Sequence, residues 1–176
     1  IDKCQGLDQA AEYCIYMQGP AGPYSFSDST SNGASRTVVL EPSMLWFASY
    51  YNTEAVQTTW FKIFHYSASG DSLARLMMWY NTQYAGSKAT LENDVIYQNI
   101  NVEVMRNNWM PIGQTMAGIK GGKANVEHGH MDMGSFGFFS GETRWIDDIG
   151  ADDYDLPQFF YGFTQDGKRW SYFRER

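Results

Sequence analysis

Residues 120–147 read KGGKANVEHGHMDMGSFGFFSGETRWID. Within them, FGFF and TRWID flank Ser140-Gly141-Glu142, the pattern of two short strands joined by a tight turn. The same character extends outward on both sides. Glycines at 113, 118, 121, 122, 129, 134, 137 and 141 cut the chain into short segments, as in an antiparallel sheet. Upstream, Val95-Ile96-Tyr97 and Val102-Glu103-Val104-Met105 are brief, partly β-branched runs. Downstream, KRWSYF (168–173) follows a QDG turn and reads as a further strand.

Before residue 91 the period changes. Leu7, Ala10, Ala11, Cys14, Ile15 and Met17 form a helical stripe, which GPAGP (19–23) stops. Glu41-Pro42-Ser43 is a helix N-terminus, and Pro42 to Tyr51, Glu54 to Tyr66 and Ser72 to Trp79 are three more helical stretches. The short breaks between them make neighbouring helices antiparallel. Trp46, Trp60 and Trp79 fall on apolar helix faces, as core residues do, and His65 reads as an ordinary helix residue. The expected fold class is α+β, with a helical part over 1–90 and an antiparallel β part over 91–176.

Composition narrows the function. The chain has 176 residues, 13 Lys plus Arg against 20 Asp plus Glu, and a net charge of −7. A generic nucleic-acid binder is basic, so nucleic acid is not an expected partner. No apolar run of about 18 residues is present, so no membrane span is expected. Aromatic residues reach 16%, which suits core packing and also stacking on sugar rings. Cys4 and Cys14, ten residues apart on a helix, lie about 15 Å apart and read as free, buried thiols. The chain starts at Ile1 without an initiator Met and ends in RWSYFRER, like a strand still in progress. It therefore reads as a piece of a larger protein, preceded by a removed signal.

The chemistry gathers at His128 and His130, two of only three histidines. In an extended strand residues i and i+2 share a face, about 7 Å apart. Two imidazoles so placed converge on one metal ion, or one binds metal while the other faces substrate. Asp132 shares their parity and suits a supporting hydrogen bond to an imidazole. The hairpin returns Asp147 and Asp148 alongside, and alternation lets only one of them point inward. Imidazole plus carboxylate suits Zn2+. The competing reading of H-x-H is a polar loop without metal.

The run IKGGKANVEHGHMDMGSFGFFSGETRWIDDIGADDY, 119–154, resembles the signature of the heparinase II/III-like polysaccharide lyases. The matching elements are Lys120-Gly121-Gly122, the His128 to Phe136 run HGHMDMGSF, Trp145 to Gly150 as WIDDIG, and Asp152-Asp153-Tyr154. QGPAGPYSFSDS, 18–29, resembles the end of that family's (α/α) toroid. The resemblance implies the end of a helical toroid followed by the first part of an antiparallel β-sandwich, with the active site between them. It implies β-elimination on uronic-acid-containing polysaccharides, glycosaminoglycan- or alginate-like. It makes His130 and Asp148 ligands of a structural zinc, with a third ligand beyond the C-terminus of this chain. Asp148 is preferred to Asp147 because it sits two before Gly150. His128 then faces the substrate cleft as the catalytic histidine. The family's tyrosine base and its Asn/His carboxylate-binding pair have no match in residues 1–90. They are expected in the remainder of the parent chain, so the isolated chain is expected to be inactive. A secreted or periplasmic location follows from the substrate class alone.

Lys120, Lys123 and Arg106 flank the H-x-H run as candidate contacts to an anionic polysaccharide, or else as a solvated rim. Tyr154 and Tyr161 follow the metal aspartate as cleft or core residues. Asp152, Asp153 and Asp155 lack the alternation of a Ca2+ loop. A non-catalytic carbohydrate-binding or structural domain that kept the lyase fold is the alternative function. A zinc hydrolase is a third, requiring an open metal position beside a general base.

Overall fold

A computed structural model describes residues 4, 6–27, 42–63, 70–110, 112–123, 130, 132–148 and 150. His128, Tyr154, His65, Tyr161, the acidic run at 152–155 and the strand expected at 168–173 lie outside these.

The chain opens with a 3-10 turn, Leu7–Gln9, that runs into α1 (Ala10–Tyr16). A two-residue hairpin follows, β1 (Gln18–Gly19) and β2 (Gly22–Pro23). GPAGP thus does more than stop a helix: it folds the chain back on itself. Helices α2 (Ser43–Tyr50), α3 (Glu54–Ile63) and α4 (Gly70–Trp79) come next, then a 3-10 turn, Thr82–Tyr84. Among the described residues five strands follow: β3 (Val95–Tyr97), β4 (Val102–Arg106), β5 (Thr115–Lys120), β6 (Phe136–Ser140) and β7 (Thr143–Ile146). They form one antiparallel sheet in sequence order. Helix and antiparallel sheet together give an α+β fold. Among the described residues no helix is long and apolar enough to cross a membrane.

Two cores are found among the described residues. The first joins Ala11, Ile15 and Tyr16 of α1, Leu45 and Ala48 of α2, and Val56 and Trp60 of α3 to Leu91 and Trp109. The i, i+3 and i, i+4 spacings within each helix put these side chains on one face. Of the three helical tryptophans expected in the core, Trp60 is fully buried, Trp79 packs against the cluster, and Trp46 is half-buried. Polar groups strap the connection from α4 to the sheet. The Gln57 amide pairs with both backbone groups of Asn81 at 2.9 Å, and Leu91 N donates to Thr59 Oγ1 at 3.0 Å. Trp109 Nε1 donates to Leu91 O at 2.8 Å.

The second core lies between the β1–β2 hairpin and one face of the sheet, with Met17, Tyr24, Val102, Val104, Met116 and Phe139. Strand alternation sends Val102, Val104 and Arg106 of β4, Met116 and Gly118 of β5, and Gly137 and Phe139 of β6 inward. The outer face carries Ile96, Met105, Ile119, Phe136, Phe138 and Ile146, all exposed.

Three expectations need correction. Arg106 is not on a rim beside the H-x-H run. It is 6% exposed, with its guanidinium 3.7 Å from the Trp109 ring centroid and donating to Tyr16 O at 2.5 Å and Gln18 O at 3.1 Å. It joins helix, hairpin and sheet, and β4 parity is what turns it inward. Residues 132–135 do not extend β6. Ser135 N donates to Asp132 O at 2.9 Å and Gly134 has φ 87°, so they form a turn that a left-handed glycine permits. Cys4 and Cys14 are free as expected, but Cys4 is exposed and Cys14 half-buried.

Candidate functional site

The site forms where the ends of β5 and β7 meet the turn before β6. Lys120 N donates to Ser135 O at 2.9 Å and Gly134 N to Lys120 O at 2.6 Å, pinning the 132–135 turn to the end of β5. Gly121 N donates to Asn101 O at 2.7 Å, fixing the first glycine of KGG against the β3–β4 connection. The β6–β7 hairpin then brings Asp147 and Asp148 back to this end of the sheet.

The two aspartates have different partners. Arg144 Nη1 donates to both carboxylate oxygens of Asp147 at 2.9 Å, while Arg144 Nε donates to Ala21 O at 3.0 Å. This ion pair neutralises Asp147 and ties β7 to the hairpin turn. Asp148 Oδ1 accepts from Gly150 N at 2.7 Å. Burial pushes the Asp148 carboxyl above the ordinary range, and nearby Asp132 and Asp147 add to the rise. The Gly150 amide and the His130 imidazole act the other way, favouring its charge. Asp148, His130 and Asp132 therefore share one electrostatic neighbourhood. His130 is half-buried, and its Nε2 is shielded from solvent. Asp132 Oδ2 accepts from Ser27 N at 2.7 Å and Ser27 Oγ at 3.2 Å, which anchors the segment after the hairpin.

Sequence reasoning missed Tyr24. Its ring is 4% exposed and lies across Gly118 and Gly137, which face each other in the β5–β6 ladder. A Cβ at Gly118 would sit 2.4 Å from Tyr24 Cδ1, and one at Gly137 would sit 3.0 Å from Cδ2. Only glycine on both strands leaves room for the ring. Burial pushes the Tyr24 phenol well above its ordinary value, and Asp148 and Asp132 push it further. Only the Ser135 hydroxyl acts in the opposite sense. It faces the phenol without reaching hydrogen-bond geometry, so Tyr24 Oη and Ser135 Oγ are both buried without a hydrogen bond among the described residues. The clue in the sequence was a pair of inward glycines at matching positions on β5 and β6, opposite the aromatic that follows GPAGP.

Lys120 and Lys123 differ. Lys120 is 8% exposed; its Nζ donates to Gly121 O and lies 5.7 Å from the Phe26 ring centroid. Lys123 is exposed. A separate cavity of about 480 Å3, lined by Trp46, Tyr50, Asn52, Trp79 and Asn81 among others, carries no charged side chain.

A structural zinc takes four ligands. Among the described residues no group of three or more His, Cys, Asp or Glu side chains can hold a metal ion. The neighbourhood of His130 and Asp148 fits zinc in donor type, a shielded imidazole nitrogen and a partly buried carboxylate. It supplies two of the donors.

No family model matches this sequence, and no curated protein matches it. Fourteen chains of solved structures do. One is a mutant of the heparan sulfate lyase HepC from Pedobacter heparinus, aligned at 13% identity and a TM-score of 0.49. The alignment covers 92% of this chain, which spans 20% of that lyase.

Proposed function

We propose that the chain is part of a lyase that cleaves uronic-acid-containing polysaccharides by β-elimination, as its sequence resemblance implies. The helices would be the end of an (α/α) toroid. The five-stranded sheet would be the first part of a β-sandwich, its exposed apolar outer face suiting a second sheet. His130 and Asp148 would hold a structural zinc, which when bound cross-links the 130–135 turn to the end of β7. The observation that carries this reading is the division between the aspartates. Arg144 takes Asp147, leaving Asp148 without that cation and within electrostatic reach of His130, the pairing the resemblance implies.

In this scheme His128 faces the uronate, and Lys123 and Tyr154 contribute to the rim that receives the anionic sugar, whereas Lys120, expected there too, is buried with its Nζ donating to Gly121 O. Hydrogen bonds and positive groups offset the C6 carboxylate charge so that the C5 proton becomes removable. A base takes that proton, the C4–O4 bond breaks, and an acid protonates the departing oxygen, leaving an unsaturated uronate. The tyrosine base and the Asn/His pair belong to a longer chain in this proposal. The substrate class places the protein outside the cell or in a periplasm.

The test is unsaturated-product absorbance with the full-length protein on glycosaminoglycan and alginate. His128→Ala should abolish turnover without unfolding the protein, and His130→Ala should lower stability and metal content. Equal, mild effects from both refute the roles. Retained polysaccharide binding without product favours the non-catalytic alternative.

A further inference from the structure

We infer that the cavity between the C-terminal ends of α2 and α4 binds a neutral pyranose ring, one uncharged unit of a saccharide. The inference goes beyond the lyase reading and does not need it, since the cavity shares no described residue with the neighbourhood of His130 and Asp148. The chemistry of the lining carries it.

The lining holds an aromatic platform. Trp46 and Tyr50, one turn apart on α2, stack with ring centroids 4.9 Å apart and 19° between planes. Tyr50 is 43% exposed, so the stack ends in a ring open to a ligand. The supports around it are fixed. Trp79 packs against the first core, Tyr80 meets Phe61 edge to face at 5.5 Å, and Gln57 holds both backbone groups of Asn81. A site whose walls are already held loses little affinity to ordering itself.

The polar groups of the lining are amides and hydroxyls, with Asn52, Asn81 and Gln83 foremost, and no described residue there is charged. Asn81 Oδ1 accepts from Gln83 N at 3.0 Å, which leaves the Asn81 amide nitrogen as a donor for a ligand. Side-chain amides both donate and accept, as sugar hydroxyls do. The volume of about 480 Å3 suits a small ligand. A pyranose meets both halves of this lining, its C–H face on the platform and its hydroxyl edge on the amides. A lipid chain would leave the amides unpaired, and a nucleotide would bring a phosphate with no cation to receive it.

The test is tryptophan fluorescence of the full-length protein, since Trp46 and Trp79 both line the cavity. The probes are cellotetraose, mannotetraose and tri-N-acetylchitotriose at millimolar concentration, with adenosine as the planar competitor. At least one saccharide should change the emission saturably. Tyr50→Ala should weaken that saccharide about tenfold, and Tyr50→Phe, which keeps the ring, should hold its affinity within about threefold. Gln83→Ala, on the exposed 3-10 turn, should cost about threefold or more. Both positions are exposed, so an unchanged melting temperature separates lost binding from lost folding. No response to any of the three saccharides overturns the assignment. So does equal affinity of wild type and Tyr50→Ala, or tighter binding of adenosine than of every saccharide. The lyase reading is scored apart. Unsaturated product without a saccharide response sinks the cavity alone, and a Tyr50-dependent response without product sinks the lyase alone.

Discussion

Gly118→Ala is a one-carbon change whose cost can be worked from the structure. The added Cβ would lie 2.4, 2.6 and 2.7 Å from Tyr24 Cδ1, Cε1 and Cγ. Ring atoms of a buried side chain cannot retreat as the end of a lysine can, and Gly137 already touches the other edge. Two responses are open. The strand and ring can shift apart, an overpacking cost of about 1–3 kcal/mol. Alternatively the ring can leave its seat, forfeiting burial of about 150–250 Å2, worth roughly 4–6 kcal/mol at ~25 cal/mol/Å2. The cheaper response sets the observed value, so a loss of about 2–3 kcal/mol is expected. For a chain of this size that corresponds to a drop in Tm of roughly 5–10 °C. Urea unfolding of a double-mutant cycle with Tyr24→Ala isolates the contact. Without the ring, alanine at 118 removes glycine's entropic penalty in a strand and should stabilise by about 0.5–1 kcal/mol. The sign of the Gly118→Ala effect therefore reverses between backgrounds. An equal cost in both would show that the glycine serves the strand and not the ring.

Other expectations follow from the same contacts. Arg106→Met strands the Tyr16 and Gln18 carbonyls and removes the stacking on Trp109, so urea unfolding should show a loss of about 2–4 kcal/mol. A loss of polysaccharide binding at unchanged stability would restore Arg106 to the rim. Asp147→Asn and Asp148→Asn should separate in metal analysis. The first weakens the clasp with Arg144 and lowers stability, and the second lowers zinc content; equal zinc loss in both would undo the division of roles. Alkaline unfolding should reflect Tyr16, whose phenol is pushed up from 10.0 to about 12 by burial first and Glu12 second. A raised phenol pKa contributes stability that is present below about pH 10 and lost as pH rises toward 12, because the unfolded chain ionises first. Tyr16→Phe should flatten that part of the fluorescence-monitored profile, and an unchanged slope would count against it.

The helices and the β6–β7 hairpin were legible because each carries its own periodic signal. Leu45 and Ala48 sit one helical turn apart, and Ser140-Gly141-Glu142 is a turn whatever surrounds it. The 132–135 turn was not legible, since HMDMGSF alternates acceptably as a strand and only the pairing of Gly134 and Ser135 with Lys120 breaks it. Arg106 was misplaced for a related reason. Its charge argues for solvent, but its strand parity with Val102 and Val104 argues for the interior, and carbonyls supplied by Tyr16 and Gln18 decide the matter. Type and spacing pointed to His130 with either Asp147 or Asp148, and the family resemblance alone chose Asp148. Tyr24 was not found, because its place depends on two glycines that are neighbours only across the sheet.

That dependence explains why a short hairpin stands between α1 and the rest of the chain. Met17 O accepts from Tyr24 N at 2.8 Å, so the hairpin closes on itself and delivers the tyrosine at a fixed distance from the helix. A Cβ on Gly19 would sit 2.9 Å from Gly22 O and 3.1 Å from Met116 Sδ, so the first strand must be bare to lie flat on the sheet. Arg144 reaches Ala21 O from the edge strand β7, and Asp132, in the turn before β6, accepts from Ser27 N. Arg144 and Asp132 thus hold the hairpin segment and the sheet together. A substitution in GPAGP that opens the hairpin should disturb Asp132 and Asp147 together, although neither is near it in sequence.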